Sequence, residues 1–572
     1  MRRLLLVVAL AACAPAHPER PPVPALVLPD SITLYVAGTT DVHGWLRGWD
    51  YFANAPDSTR GLTRVSTIMD SLRTAHPDRV VLVDAGDDLQ GTPMTSVALR
   101  DSLLPNPIIS AMSALRYDAG VIGNHEFNYG LGYLNRAIAQ ATFPMIAANV
   151  FTAEGRHAYV PWVMTRRAGA RVAIVGGTTP GSMIWDGDKL RGRVDVRDIL
   201  PGVRDAVAEA RERGADVVVV VLHSGLDGAS SYDTVATGVP SENVSARVAR
   251  EIPGIDLIVF GHSHREVADT SINGVLLSQP RNGAASVSVA RLDLVRDGTR
   301  YRVAAKRGSL IRARGHAEQE AMLTLTENAH QRAVEHVQQA LGTTAARWSS
   351  DSARVRDTPI IDFILEVQRR ATGADIASTS AFTLNAEFGP GAVTMADIAE
   401  LYPYENNQLR AVRITGRQLR EYLEFSARYF RAGARPDSMI DPAIPGFNFD
   451  IVAGVDYQID LTRPIGSRII GLSREGRTVA DGDQFTMALN DYRQSGGGGY
   501  AMLQGAPVVH DKQELIRDLL IAEVRRAGTL RVDDYFRQNW RIVPDSLRDA
   551  AYRSMRRLPF DRPRVVAPAA RR

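Results

Sequence analysis

The run Val217-Val218-Val219-Val220-Val221-Leu222, between Asp216 and His223, constrains the fold more than any other stretch of the chain. β-branched side chains are stiff at χ1, and a strand can stay apolar at every position only when both of its faces are covered. That requirement points to helices packed on a sheet. Residues 32–37, 80–83, 119–122, 171–175 and 255–260 are similar apolar runs, and segments of helical spacing such as 62–72 lie between them. Strand, polar turn and helix in alternation indicate an α/β class.

The residues just after each run are as informative as the run itself. The strand at 32–37 leads into Thr39-Thr40-Asp41-Val42-His43-Gly44, and that at 80–83 into Asp84-Ala85-Gly86-Asp87-Asp88. The run at 119–122 reaches Gly123-Asn124-His125-Glu126-Phe127-Asn128-Tyr129-Gly130, the valines reach His223-Ser224-Gly225, and 255–260 reaches Gly261-His262-Ser263-His264. Polar groups massed at the carboxyl ends of strands suit the ligand crevice of an open α/β sheet. Five of the 12 histidines sit in these motifs. A lone histidine on an apolar strand is usually a satisfied core residue, but recurrence at strand ends favours coordination. Carboxylate, imidazole and one amide oxygen, with no thiolate, suit zinc, manganese or iron rather than a structural cysteine site. An aspartate shared between two cations, each completed by histidines, makes the two-metal clamp used on phosphate esters.

The chain has 572 residues, 45% hydrophobic and 23% charged, which predicts two folded domains and a connector. A formal net charge of +3 gives no reason to expect polymeric nucleic acid as a partner. Arg2-Arg3, the apolar stretch 4–10 and Leu10-Ala11-Ala12-Cys13 read as an export signal, too short to span a bilayer as a helix. Cys13 is the only cysteine, so the chain has no internal disulfide. Residues 14–30, rich in proline, read as a tether.

Residues 286–294 and 301–305 read as a hairpin around Asp297-Gly298, closing a catalytic domain at 31–314. The stretch 316–341 has helical spacing without glycine or proline, and a linker helix is expected over 315–345 as a pivot between domains. In the second half, 409–414, 455–461 and 485–489 read as strands and 417–429 as a helix, giving a smaller α/β domain over 346–545. The last strand runs into Asn490-Asp491-Tyr492-Arg493-Gln494-Ser495, four glycines and Tyr500. Residues 546–572 read as a basic, solvated tail, with contact to anionic headgroups as the alternative.

In this order and spacing, Asp41-Val42-His43, Gly86-Asp87, Gly123-Asn124-His125-Glu126, His223 and Gly261-His262-Ser263-His264 resemble the calcineurin-like metallophosphoesterase family. The resemblance implies a four-layer sandwich, α/β and in part α+β, with two divalent metal ions (zinc, manganese, iron or cobalt). Asp41, His43, Asp87 and His264 would hold one metal, and Asp87, Asn124, His223 and His262 the other. His125 matches the histidine that stabilises the phosphoryl oxygen or protonates the leaving group. Val393-Thr394-Met395-Ala396-Asp397-Ile398 through Leu409, with the glycine run, resembles the C-terminal domain of bacterial and animal nucleotidases. In that domain two aromatic rings clamp the base, a sequence-tolerant contact worth about 1–3 kcal/mol per base. Tyr500 and Tyr404, the latter in preference to Tyr402, are the expected rings.

Asn128 stands where many 5′-nucleotidases carry an aspartate that orients the catalytic histidine. Asn124 to Gly130, Trp49-Asp50-Tyr51-Phe52, Gly446-Phe447-Asn448-Phe449-Asp450, Gly454-Val455-Asp456-Tyr457 and Asn490-Asp491-Tyr492-Arg493 resemble the periplasmic 2′,3′-cyclic-nucleotide 2′-phosphodiesterase/3′-nucleotidase branch. Leu10 to Cys13 resembles a bacterial lipoprotein signal, which would leave Cys13 lipid-modified. The resulting expectation is an exported, periplasmic, lipid-anchored monomer that converts cyclic and 3′-nucleotides to nucleoside and phosphate. A 5′-nucleotidase or UDP-sugar hydrolase on the same fold, and a nucleotide-binding lipoprotein without activity, are the alternatives.

Overall fold

The computed structural model describes residues 29–557, apart from 52–53, 101–104, 229, 231, 233, 405–406 and 432–437. Cys13, most of the tether, Phe52 and the arginines after residue 557 lie outside the described residues. Among the described residues, no helix is long and apolar enough to cross a membrane.

Two six-stranded sheets lie face to face in the first half. One has the spatial order Arg300–Arg312, Ser286–Asp297, Ser31–Thr39, Val80–Asp84, Ala119–Val121, Met145–Ile146. The other has the order Val267–Ile272, Val275–Gln279, Leu257–Phe260, Val217–His223, Ala170–Thr178, Trp162–Arg167. This arrangement accounts for the valine run. Val217, Val219 and Val221 join Val36, Val83 and Val121 between the sheets, whereas Val218, Val220 and Leu222 pack with helices Ile199–Glu212 and Ser245–Glu251. Side chains alternate across a strand, so both sets must be apolar. Helices Leu62–Ala75, Pro107–Leu115 and Glu320–Gln338 cover the other sheet, giving helix, sheet, sheet, helix.

The central strands pair in parallel, Tyr35 opposite Val80 through Thr39 opposite Asp84, and Val217 opposite Val172 through His223 opposite Thr178. Parallel pairing sends the polar strand ends to a common edge.

The second half holds a mixed five-stranded sheet, Asp450–Ala453, Ile376–Ser380, Gln484–Asn490, Gln408–Thr415, Val508–Leu515, and a four-stranded sheet ending in Trp540–Val543. One core runs through this half from Leu341 to Met555. Helix Met395–Leu401 is opened by a capping box in which Thr394 and Asp397 satisfy each other's backbone amides, and it delivers the chain to Tyr402 and Tyr404. Arg493 is buried with Asp450, its Nε 2.8 Å and its Nη2 2.9 Å from the two carboxylate oxygens. The same guanidinium donates to the carbonyls of Gly497 and Phe447, so one ion pair ties the glycine turn to the sheet.

Two expected boundaries need correction, that of the linker helix and that of the tail. The helix expected over 315–345 spans Glu320–Gln338, because Ala340–Thr344 pairs as a strand with Gly391–Thr394 and Thr529–Leu530. That helix is also bonded to the first half. Arg47 donates to Thr326 Oγ1 at 2.8 Å and to Glu327, and Tyr51 Oη lies 3.0 Å from His330 Nδ1. The tail expected from 546 begins as a helix, Asp545–Met555, whose Ala550, Ala551 and Met555 join the second core. Its apolar stripe was hidden among the arginines.

Removing one member of a buried ion pair strands the other charge, at a cost of about 3–5 kcal/mol. Asp450→Ala is expected to lower unfolding free energy by that amount, read from urea denaturation, with the loss confined to the second half.

Candidate metal centre

The polar strand ends meet where the two sheets' carboxyl edges adjoin, and they form two clusters. Asp41, His43 and His264 bring one donor atom each within 4.8 Å of one another, and so do Asp87, His223 and His262. His264 Nε2 lies 3.3 Å from Asp41 Oδ1, and His223 Nε2 lies 3.0 Å from Asp87 Oδ2 and 2.9 Å from Asn124 Oδ1. All seven expected ligands are thus assembled, drawn from loops far apart in sequence (His43 and His264 are separated by 221).

Backbone conformation is what allows this. Asp41, His43, Asp87, His262 and His264 all have positive φ, between 48° and 72°. Such φ values disfavour non-glycine residues, and clusters of them mark sites where the surrounding structure enforces strain. The enforcement is visible around Glu126. Its fully buried carboxylate accepts from the backbone amides of Asp87 (2.8 Å), Asp88 (2.7 Å), Leu89 (3.1 Å) and Gly123 (2.7 Å). The two loops are also drawn close enough that a Cβ at Gly123 would lie 2.3 Å from Asp87 Oδ1.

The donor set fits cations. His223 Nδ1 lies 2.7 Å from the carbonyl of Ala85, so Nδ1 carries a proton, and Nε2 faces two acceptors, Asp87 and Asn124. His43 repeats the pattern, with Nδ1 held at 2.9 Å by Gln90 O and Nε2 3.1 Å from His264 Nε2. Fully buried Asp41 Oδ1 faces the imidazoles of His264, at 3.3 Å, and His43, at 4.0 Å. Carboxylate and imidazole atoms gathered this closely suit a cation among them, and carbonyl-oriented imidazoles are the usual outer support of metal ligands. In the protein alone two of the imidazoles carry positive charge, since against burial Asp87 lifts His223 to about 10 and Asp41 lifts His264, and the other two stay neutral. Burial, helped by the charge of His264, pulls His43 down to about 4, and burial with His223 pulls His262 down to about 3. Both imidazoles are therefore neutral and able to ligate near pH 7. Burial opposes ionisation of Asp41, but its hydrogen bond and charge interaction with His264 bring it to about 2.

His125 sits beside this cluster, its Nε2 3.9 Å from Asp87 Oδ2 and its Nδ1 2.6 Å from Asn128 Oδ1. Sequence reading missed Asp186, which receives a hydrogen bond from Asn128 Nδ2 at 2.8 Å, and Trp185, whose ring centroid is 5.7 Å from that of His262. No local pattern marks either residue.

In the second half, Tyr404 is 41% exposed and stands edge-on to Phe382 at 5.1 Å, while Tyr402 is buried. Tyr500 corrects an expectation. It is fully buried between Tyr422 (4.5 Å) and Phe425 (4.6 Å), its hydroxyl donates to Asn448 O, and Arg493 covers its face at 4.0 Å. It offers no face to a base; the turn folds its ring inward as core. The half-buried ring near that turn is Tyr492, whose phenol adds to the burial that pushes the Tyr404 phenol up. Burial pushes the Tyr492 phenol up as well.

Residues 34–266 match the calcineurin-like phosphoesterase family, and residues 337–505 match the 5′-nucleotidase C-terminal domain family. The 2′,3′-cyclic-nucleotide 2′-phosphodiesterase/3′-nucleotidase of Haemophilus influenzae is 29% identical over 90% of this chain and 88% of its own length. The trifunctional nucleotide phosphoesterase YfkN of Bacillus subtilis is also 29% identical over 93% of this chain, which spans only 40% of that longer protein. Among solved structures, a candidate 5′-nucleotidase from Staphylococcus aureus superposes with a TM-score of 0.75 at 25% identity, covering 89% of this chain and 100% of the other.

Glu126→Ala removes the acceptor that closes both loops. It is expected to lower bound metal to below half of the wild-type content by elemental analysis while the far-UV circular dichroism stays unchanged.

Proposed function

We propose a substrate for a chain that belongs to the calcineurin-like phosphoesterases and carries a 5′-nucleotidase C-terminal domain. As a metal-dependent hydrolase of nucleotide phosphate esters, it takes 2′,3′-cyclic nucleotides and 3′-mononucleotides to nucleoside and phosphate. The observation that carries this reading is the pair of histidine–carboxylate clusters beside His125, in a chain whose second half presents the exposed ring of Tyr404 and the half-buried ring of Tyr492. The cyclic and 3′ preference rests on the similarity to the Haemophilus enzyme over nearly the whole of both chains and on Asn128 in place of an aspartate.

In this reading Asp41, His43, Asp87 and His264 hold one divalent cation, and Asp87, Asn124, His223 and His262 the other. Bound there, the cations supply Lewis acidity to the phosphoryl oxygens and lower the pKa of a water. The chain's own residues do the rest. Tyr404 and Tyr492 hold the base, and His125 gives a proton from Nε2 to the departing ribose oxygen while Nδ1–H stays on Asn128 Oδ1. The catalytic unit is residues 31–314 and the substrate unit begins at 346, extended to Met555 by its last helix.

Phosphate release by the chain lacking residues 1–13, with manganese, cobalt or zinc, tests the substrate. Turnover of 2′,3′-cyclic AMP and 3′-AMP at least about tenfold above 5′-AMP is expected. The reverse order assigns a 5′-nucleotidase, and bound metal without turnover assigns a capture protein. His125→Ala should lower kcat about 10²–10⁴-fold, the usual contribution of a general acid. Export with lipid attachment at Cys13 predicts that Cys13→Ser moves the protein from the membrane pellet to the soluble envelope fraction.

A further inference from the structure

Asp186 lies between the short helices Ser182–Trp185 and Gly187–Leu190, 2% exposed, 58 positions from the asparagine it touches. The structure assigns Asp186 as a positioning residue that fixes which end of the Asn128 amide meets His125. This rests on the reading of His125 as proton donor and names what holds it in that role.

The chemistry of the three groups leaves one arrangement. Asp186 Oδ1 is 2.6 Å from Lys189 Nζ and Oδ2 is 2.8 Å from Asn128 Nδ2. An ionised carboxylate only accepts, so the amide must turn its NH₂ to Asp186 and its carbonyl to His125. The carbonyl also only accepts, so the proton on His125 Nδ1, 2.6 Å away, is fixed, and Nε2 is the nitrogen left facing the crevice. An asparagine side chain has nearly the same shape after a half-turn. Without Asp186 the amide could flip and set N–H against the Nδ1–H of an imidazole about to give up its Nε2 proton. Burial pushes the Asp186 carboxyl up, and the ion pair with Lys189 Nζ acts against that shift. The negative charge that an aspartate at 128 would place directly on the histidine is thus set one amide further out.

Asp186→Asn keeps the shape and removes the constraint. The double variant Asn128→Asp, Asp186→Asn exchanges the two groups, so a carboxylate accepts from His125 and an amide donates to that carboxylate. Each variant would be assayed, metal-loaded, on whichever nucleotide the wild type prefers and on bis(p-nitrophenyl) phosphate, whose nitrophenolate leaves without a proton. Asp186→Asn is expected to lower kcat on the nucleotide by about 10²-fold, the lower end of a proton donor's contribution, with KM within about twofold. Loss on the nitrophenyl ester should stay under about threefold, and the exchange should restore nucleotide kcat to within about fivefold. Asn128→Asp alone, which places two carboxylates together, should fall below the exchange. Two-bond proton–nitrogen spectra of histidine-labelled protein, assigned by difference from His125→Gln, should show Nδ1–H in the wild type and the exchange variant and its loss in Asp186→Asn. Equal losses on both esters, a single variant as active as the exchange, or an unchanged His125 tautomer would each overturn the assignment. A wild type that prefers 5′-AMP would change the substrate alone and leave this pattern standing.

Discussion

The centre depends on one buried carboxylate that touches no reacting group. Glu126 gathers four backbone amides from two loops, and those loops carry Asp87, Asn124 and His125. Four charge-assisted hydrogen bonds are strong enough to hold backbone that local preference resists, since such bonds are roughly twice as strong as neutral ones. The left-handed turn at Asp87 persists only because it is pinned in this way. Coordination chemistry here is therefore downstream of loop geometry, and loop geometry is downstream of a residue whose side chain faces inward.

Parallel strands do the complementary work at larger scale. They bring Asp41, Asp87, His223 and His262 to one edge without any sequence proximity, and the apolar runs behind them make the edge rigid. This is why the ligands were legible in the sequence. A strand buried on both faces announces itself by composition, and a histidine directly after it has few structural reasons to be there. The four layers were legible for the same reason.

Elsewhere the sequence was ambiguous because the deciding fact is tertiary. An aromatic residue after four glycines reads equally as a ligand platform or as core, and only the Arg493–Asp450 pair beneath the turn draws Tyr500 inward. Asp186 has no motif at all; its part comes from a distance to Asn128 that no spacing rule encodes. The helix after His316 was recognisable by its period, but its end was not, since Ala340–Thr344 becomes a strand by pairing with residues about 50 and 190 positions away. Arginines masked the apolar stripe of the last helix in a similar way.

The clamping of Glu320–Gln338 against the first half has a mechanical consequence. If that helix travels with the catalytic unit, the compliant chain between the two halves shrinks to the backbone around Gln339, where the helix stops and the next strand begins. A body turning about a point sweeps arcs in proportion to radius. Surfaces next to the pivot, such as the small cleft between His336 and Val337 on one side and Met395, Ala399 and Ile521 on the other, would merely roll. Surfaces further from Gln339 would travel further for the same angle. A lever of that geometry would turn a modest torsional change in one or two residues into a large displacement of surfaces far from Gln339, without disturbing the packing next to it.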